Sequence, residues 1–197
     1  MSRQRLVRKR AVSVAPASLL AGLLALVGLL LPLGAPAQVS EAELKAQVID
    51  RFTQFIEWPR VALPDAARFV VCIVGESDTA DHLATLAGSR RFKARACEVR
   101  RRGHAGAGAR AEADLAACHL LYIAGSEDAQ LPKLLSALAD RPVLTISDHD
   151  GFAERGVIIN LFQEGRYVRF QINLGAVTRS KLSVSSKLLR LARIVKD

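Results

Sequence analysis

The sequence predicts an α/β fold: a single compact three-layer domain with a mostly parallel central sheet, a C-terminal β-hairpin and flanking helices. Three observations predict it. Continuous apolar runs at residues 69–75, 119–124 and 142–146 read as strands buried on both faces, as strands of parallel sheets are. Helical patterns lie between these runs, and this β-α-β order calls for parallel strands joined by crossover helices. Near the C-terminus the pattern changes to two strand-like segments around Glu164-Gly165, the signature of a hairpin with a short glycine-containing loop.

Taken in order, Ser40-Glu41-Ala42-Glu43 reads as a capping box, with Ser40 at the N-cap and Glu43 three residues on. Leu44, Val48, Phe52 and Phe55 recur at helical spacing with Ile56 beside them, while Lys45, Gln47, Asp50, Arg51 and Gln54 fill the other side. Pro59 biases Trp58 away from the α region, so FTQFIEWP (52–59) reads as the last two turns of an amphipathic helix. Phe52 and Phe55 are expected in the core. Trp58, the only tryptophan, could be core or interface. A helix over 78–86 is stopped by Gly88, and a poorer strand follows at 94–100. Residues 103–110 read as a small-residue loop, and 128–139 as a helix with Leu131, Leu134, Leu135 and Leu138 on one side. Strands at 157–162 and 167–173 form the hairpin. In the second, Val168, Phe170 and Ile172 alternate with Arg169, Gln171 and Asn173, giving one buried and one accessible face. A final helix is expected over 183–195, with Val184, Leu188, Leu191 and Val195 inward and Lys187, Arg190 and Arg193 outward.

The N-terminus predicts export. Arg3, Arg5, Arg8, Lys9 and Arg10 precede an apolar run over about 19–33, and Ala35-Pro36-Ala37 follows as a small-x-small cleavage signal. A cleaved signal peptide over 1–37 places residues 38–197 in the periplasm. An uncleaved membrane anchor is the rival reading of the same run. No cysteine follows it, which argues against a lipoprotein anchor. The chain carries 28 Lys and Arg against 19 Asp and Glu, but five of the basic residues fall in 1–37. The remaining 23 against 19 give no reason to invoke nucleic acid. A mature chain of about 160 residues is long enough for one domain with a real core.

The motifs exclude more chemistry than they suggest. There is no G-x-S-x-G elbow, and the glycines of GHAGAG (103–108) have the wrong spacing for a dinucleotide fingerprint. SDHD (147–150) reads as a polar turn after a buried strand, because consecutive side chains diverge and a triad is assembled from separated segments. His82, His104 and His119 are scattered. Arg90, Arg91, Lys93, Arg95, Arg100, Arg101 and Arg102 read as a solvated face or an edge-strand guard. Cys72, Cys97 and Cys118 lack metal-ligand spacing, and an odd count permits at most one intramolecular bridge. No cofactor and no metal site is expected. A small exported α/β domain without a catalytic constellation points to a binding or regulatory module and not to an enzyme.

The ordered set FTQFIEWP, VCIVGES, ACHLLYIAGSE, RPVLTISDHDGFAERGVIINLF, GRYVRFQINLGAV and LSVSSKLLRLARIV resembles the YfiR family of periplasmic proteins over essentially all of residues 41–195. The resemblance implies a soluble periplasmic repressor that binds the sensor domain of an inner-membrane diguanylate cyclase, lowering cyclic-di-GMP and biofilm formation. It implies an outer-membrane lipoprotein that sequesters the repressor, a tendency to homodimerise, and redox sensitivity through cysteines matching Cys72 and Cys118. These two are accordingly expected to form a disulfide, leaving Cys97 free. The sequence lacks the second cysteine pair that some members carry near DGF, and its GHAGAGARAEA loop is longer. The residues expected to meet a partner are Trp58, Arg169, Gln171, Asn173, Lys187, Arg190 and Arg193. The competing reading is a periplasmic small-ligand binding protein that uses the strand-end crevice near Gly75, Glu76, Ser77 and Gly125. A hydrolase with an unrecognised site is the third.

Overall fold

The structure is a computed structural model that describes residues 39–102 and 109–196. The expected signal peptide over 1–37 and all of GHAGAG (103–108) lie outside the described residues. Among the described residues no helix is long and apolar enough to cross a membrane.

The elements run α1 (Glu41–Thr53), β1 (Ile56–Glu57), β2 (Phe69–Val74), α2 (Asp78–Ser89), β3 (Arg91–Phe92), β4 (Arg95–Arg102), α3 (Ala109–Ala116) and β5 (Leu120–Ile123). A 3-10 turn (Gly125–Gln130) leads into α4 (Leu131–Ala137), β6 (Leu144–Ser147), β7 (Ile159–Glu164) and β8 (Tyr167–Asn173). Then come α5 (Leu174–Ser180), β9 (Ser183–Val184), α6 (Ser186–Leu189) and β10 (Arg193–Val195). Eight strands form one sheet in the order β10-β8-β7-β6-β5-β2-β4-β3, and β1 pairs with β9 apart from it. From β4 across to β7 the ladder is parallel; β8 runs antiparallel to β7 and closes the expected hairpin. Strand order reverses between β2 and β5, because β4 lies on one side of β2 and β5 on the other.

The three layers follow from alternation along the buried strands. Phe69, Val71 and Ile73 of β2 face one way, onto Ala46, Ile49 and Phe52 of α1 and Ala80, Leu83 and Ala87 of α2. Val70, Cys72 and Val74 face the other way, onto Leu115, Leu131, Leu134, Phe152 and Val157. Each large apolar side chain taken fully out of water contributes about 1.5–3 kcal/mol, so a strand buried on both faces anchors both halves of the core.

Several sequence expectations are corrected. The first helix begins as expected, with Ser40 Oγ accepting from Glu43 N at 3.1 Å, but it ends at Thr53. Its buried face is Ala46, Ile49, Phe52 and Thr53, a rotation away from the Leu44/Val48 stripe. Phe55 N bonds Phe52 O at 2.9 Å, a tight turn that stops the helix. Ile56 and Glu57 then pair with Val184 and Ser183. Phe55 is consequently 37% exposed, whereas the sequence placed it in the core. Gly88 lies inside α2, which runs on to Ser89. Helix α3 takes up the end of the expected loop. The helix expected over 183–195 does not form. Leu188 is buried, the chain turns at 190–192, and Arg193, Ile194 and Val195 join the edge of the sheet beside Gln171, Ile172 and Asn173. β-branched Ile194 and Val195 suit a strand better than a helix terminus.

Asn173 is the clearest reversal. Alternation put it on the accessible face, yet it is fully buried. Its Oδ1 accepts from Ala176 N at 2.8 Å, capping α5, and its Nδ2 donates to Ala153 O at 2.8 Å. An asparagine at the last strand position is a natural N-cap for a following helix, and that helix escaped the sequence reading.

Candidate functional site

Chemistry-bearing side chains gather where β2, β5 and β6 end and strand order reverses. Tyr122 stands in an otherwise apolar strand, so its hydroxyl needs a partner. It donates to Asp148 Oδ1 at 2.5 Å, with Ser77 Oγ 3.1 Å away. Asp148 Oδ2 accepts from Thr79 Oγ1 at 2.9 Å and from Lys45 Nζ at 3.0 Å. Lys45 also reaches Glu41 at 2.7 Å. The Lys45 and Asp148 side chains are only 12% and 15% exposed. Burial alone would raise the Asp148 pKa, but the hydrogen bonds from Tyr122 and Lys45 outweigh it and hold the carboxyl below its ordinary range. Burial would lower the Lys45 pKa, but its bonds to Glu41 and Asp148 raise it instead. Burial, and then the charge of Asp148, push the Tyr122 phenol up, so it stays a donor. The cluster thereby ties α1, α2, β5 and β6 together. A carboxylate held this low, with both oxygens engaged, is poorly suited to take a proton near neutral pH.

Beside this cluster lies a pocket of about 480 Å³ between the first turns of α1 and α2, lined by Ser40, Lys45, Ser77, His82 and Asp148 among others. The crevice expected near Gly75 and Gly125 is filled by the protein itself. Gly75 has φ +82°, and a Cβ there would overlap Ser126 Oγ and the Glu127 side chain; Gly125 lies against the His149 ring. Ser126 Oγ accepts from Glu76 N at 3.1 Å and closes the two loops on each other. Among the described residues no group of three His, Cys, Asp or Glu side chains could hold a metal ion.

The expected partner residues fall in four places. Trp58 is core: it is 8% exposed, its Nε1–H donates to His119 O at 3.1 Å, and its ring meets Phe69 edge-on at 5.2 Å. Arg169, Gln171 and Arg193 share the second face of the sheet at its β7–β8–β10 end, Arg193 standing in register with Gln171. Lys187 and Arg190 are exposed on α6 and the turn after it, on the side where Leu188 and Leu189 join the α1/α2 core. Lys187 lines a groove with Phe55 and Val184. Asn173 is interior, as described above.

Cys72 and Cys118 form a disulfide, with Cα atoms 5.9 Å apart across β2 and the start of β5. Cys97 is a free, half-buried thiol whose pKa is pushed up by burial. It packs against the α1/α2 core, whereas the disulfide lies on the other face, so the sheet separates the two. Most of the basic run on β3 and β4 is engaged locally: Arg95 donates to Pro64 O and Asp65 O, Arg100 pairs with Glu98, Arg101 with Asp81 and Arg102 with Asp114.

Sequence reasoning missed the Lys45–Asp148–Tyr122 cluster. It placed Lys45 on the solvent side of the helix and dismissed Asp148 as part of a turn. The available signal was Tyr122, a hydroxyl inside an apolar strand, followed by an aspartate at the end of the next strand.

Two solved structures share the fold at TM-score 0.54. One is a conserved domain protein from Vibrio cholerae O1 biovar El Tor strain N16961, 11% identical, covering 80% of this chain and 60% of its own. The other is the ABC domain in complex with L-Trp from Streptococcus pneumoniae, 8% identical, covering 78% of this chain and 60% of its own. This chain thus spans about 60% of the length of either, and at these identities the likeness is one of fold alone. The family described as YfiR/HmsC-like matches over residues 42–193, taking in nearly every element from α1 to β10. The chain belongs to the YfiR/HmsC-like family.

Proposed function

We propose that this protein is a periplasmic regulator and not an enzyme. It binds the periplasmic sensor domain of an inner-membrane diguanylate cyclase and holds it inactive, lowering cyclic-di-GMP and biofilm formation. An outer-membrane lipoprotein sequesters it, and it works as a homodimer. The observation that carries this reading is the family match across 42–193. The geometry supports it: the polar cluster at the strand ends spends its hydrogen bonds internally, and its carboxylate, Asp148, is held below its ordinary range with both oxygens engaged. A strain lacking the gene should show raised cyclic-di-GMP and more biofilm; unchanged levels would sink the proposal.

The second reading is a periplasmic small-ligand binding protein. The pocket of about 480 Å³ beside the strand-order reversal favours it, since open α/β sheets bind ligands there. The Streptococcus neighbour is described in complex with L-Trp, but it shares only the fold. Thermal-shift screening with small metabolites separates the readings: a regulator working through protein contact should show no saturable shift.

A further inference from the structure

The β7–β8–β10 end of the sheet is covered on one face only. Its first face packs Ile159, Leu161 and Ile172 into the core under α1. Its second face carries Phe162, Glu164, Tyr167, Arg169 and Arg193, and none of these joins the helix-covered cluster on that side. Tyr167 is 55% exposed. Arg193 lies over the Phe162 ring at 4.8 Å, and Arg166 and Arg169 lie over the Tyr167 ring at 5.4 and 5.6 Å. Glu164 is shared between Arg169 at 3.4 Å and Arg193 at 3.3 Å. One carboxylate cannot saturate these guanidinium groups, each with five donors. Contact with the ring faces restrains the arginines before docking, so less side-chain freedom remains to be lost. Exposed tyrosine and arginine on a rigid strand platform are the composition of an interaction centre.

We infer that this uncovered face docks a protein surface whose carboxylates meet Arg166, Arg169 and Arg193 around a flat apolar centre covering Phe162 and Tyr167. A second copy of this chain is a poor occupant, because a two-fold contact doubles the imbalance of three arginines to one carboxylate and supplies no further carboxylate from the face. The inference rests on the proposed function and names where the regulator grips its partner. It also narrows the surface: Arg169 and Arg193 belong to it, whereas Lys187 and Arg190 lie elsewhere.

The test uses the protein purified from the periplasm and the purified periplasmic domain of the cyclase it regulates, with affinity read by calorimetry. Arg169→Glu and Arg193→Glu should each weaken binding about tenfold or more, and the double reversal further, with melting temperatures unchanged. Arg190→Glu should bind as the wild type does. Binding indifferent to Arg169→Glu and Arg193→Glu overturns the face alone. Absence of wild-type binding overturns the function reading and the face with it. Two other occupants are distinguished in parallel. If the double reversal abolishes sedimentation with phosphatidylglycerol vesicles but spares cyclase binding, the face is a lipid site. If it alters only self-association, the face belongs to a second copy. Either result overturns the inference.

Discussion

Trp58 and His119 hold one seam of the molecule. His119 Nδ1 accepts from Val70 N at 2.9 Å, so the neutral ring carries its proton on Nε2, which donates to Ala62 O at 3.0 Å. The ring stacks on Phe69 at 5.3 Å, and Trp58 donates to the His119 carbonyl. Trp58→Ala should cost about 3–5 kcal/mol, read as a lower melting temperature, because it empties a filled site and removes one of that carbonyl's two donors, Leu144 N being the other. Burial lowers the His119 pKa, and the nearby Arg95 and Arg100 charges push the same way. The unfolded chain therefore binds a proton more readily than the native one. Stability should be full above the ordinary value of 6.5 and fall as pH drops below it, by up to about 1.4 kcal/mol per unit until the folded pKa is reached. Melting curves between about pH 7.5 and 5, the window of His titration, check this. In His119→Gln the slope should flatten. Asn160 is a different kind of residue: 1% exposed on β7, with neither Oδ1 nor Nδ2 hydrogen bonded among the described residues. An unmet buried amide costs about 1–3 kcal/mol, so Asn160→Leu should leave stability unchanged or raise it. A clear loss would show that the amide has a partner.

At the scale of elements, the outcome turned on what each segment could pair with. The C-terminal residues had helical periodicity, but the free edge of β8 offered backbone partners that a short exposed helix would lack. The same logic fixed β1, whose two residues left the helix to pair with β9. The disulfide joins β2 to Cys118, two residues before β5, across a separation of 46 positions. Closing a loop of that length restricts the unfolded chain by about 4 kcal/mol in the chain-entropy model. Reducing the protein, or replacing Cys72 and Cys118 together by alanine, should lower stability by about that amount or somewhat less. Cys97 should be the residue alkylated without reductant once the chain is unfolded. Alkylation of Cys72 or Cys118 under those conditions would contradict the bridge.

At the scale of the whole molecule, β2 and β5 belong to both cores at once, with alternate residues facing α1/α2 on one side and α4 on the other. Neither core can lose its strands without exposing the other. Unfolding of the oxidised protein should therefore be one transition, with far-UV and near-UV circular dichroism changing together. Separate transitions would mean that the two layers of helices come away independently.

The sequence by itself determined the α/β class, the parallel strands, the terminal hairpin, the first cap at Ser40, and the family. These rest on local signals: unbroken apolar runs, alternation, a capping serine, and an ordered set of short segments. Its pairing of Cys72 with Cys118 agrees with the disulfide, although that expectation leaned on the resemblance. Only the tertiary structure decided that Phe55 faces out, that Asn173 faces in, and that residues 193–195 form a strand and not a helix. Each depends on a partner distant in the chain: Ser183 and Val184 for the end of α1, Ala153 for Asn173, β8 for the C-terminus. The Lys45–Asp148–Tyr122 cluster was illegible for the same reason. Residues 103 positions apart share one hydrogen bond there, and no local pattern records which charge a buried hydroxyl will meet.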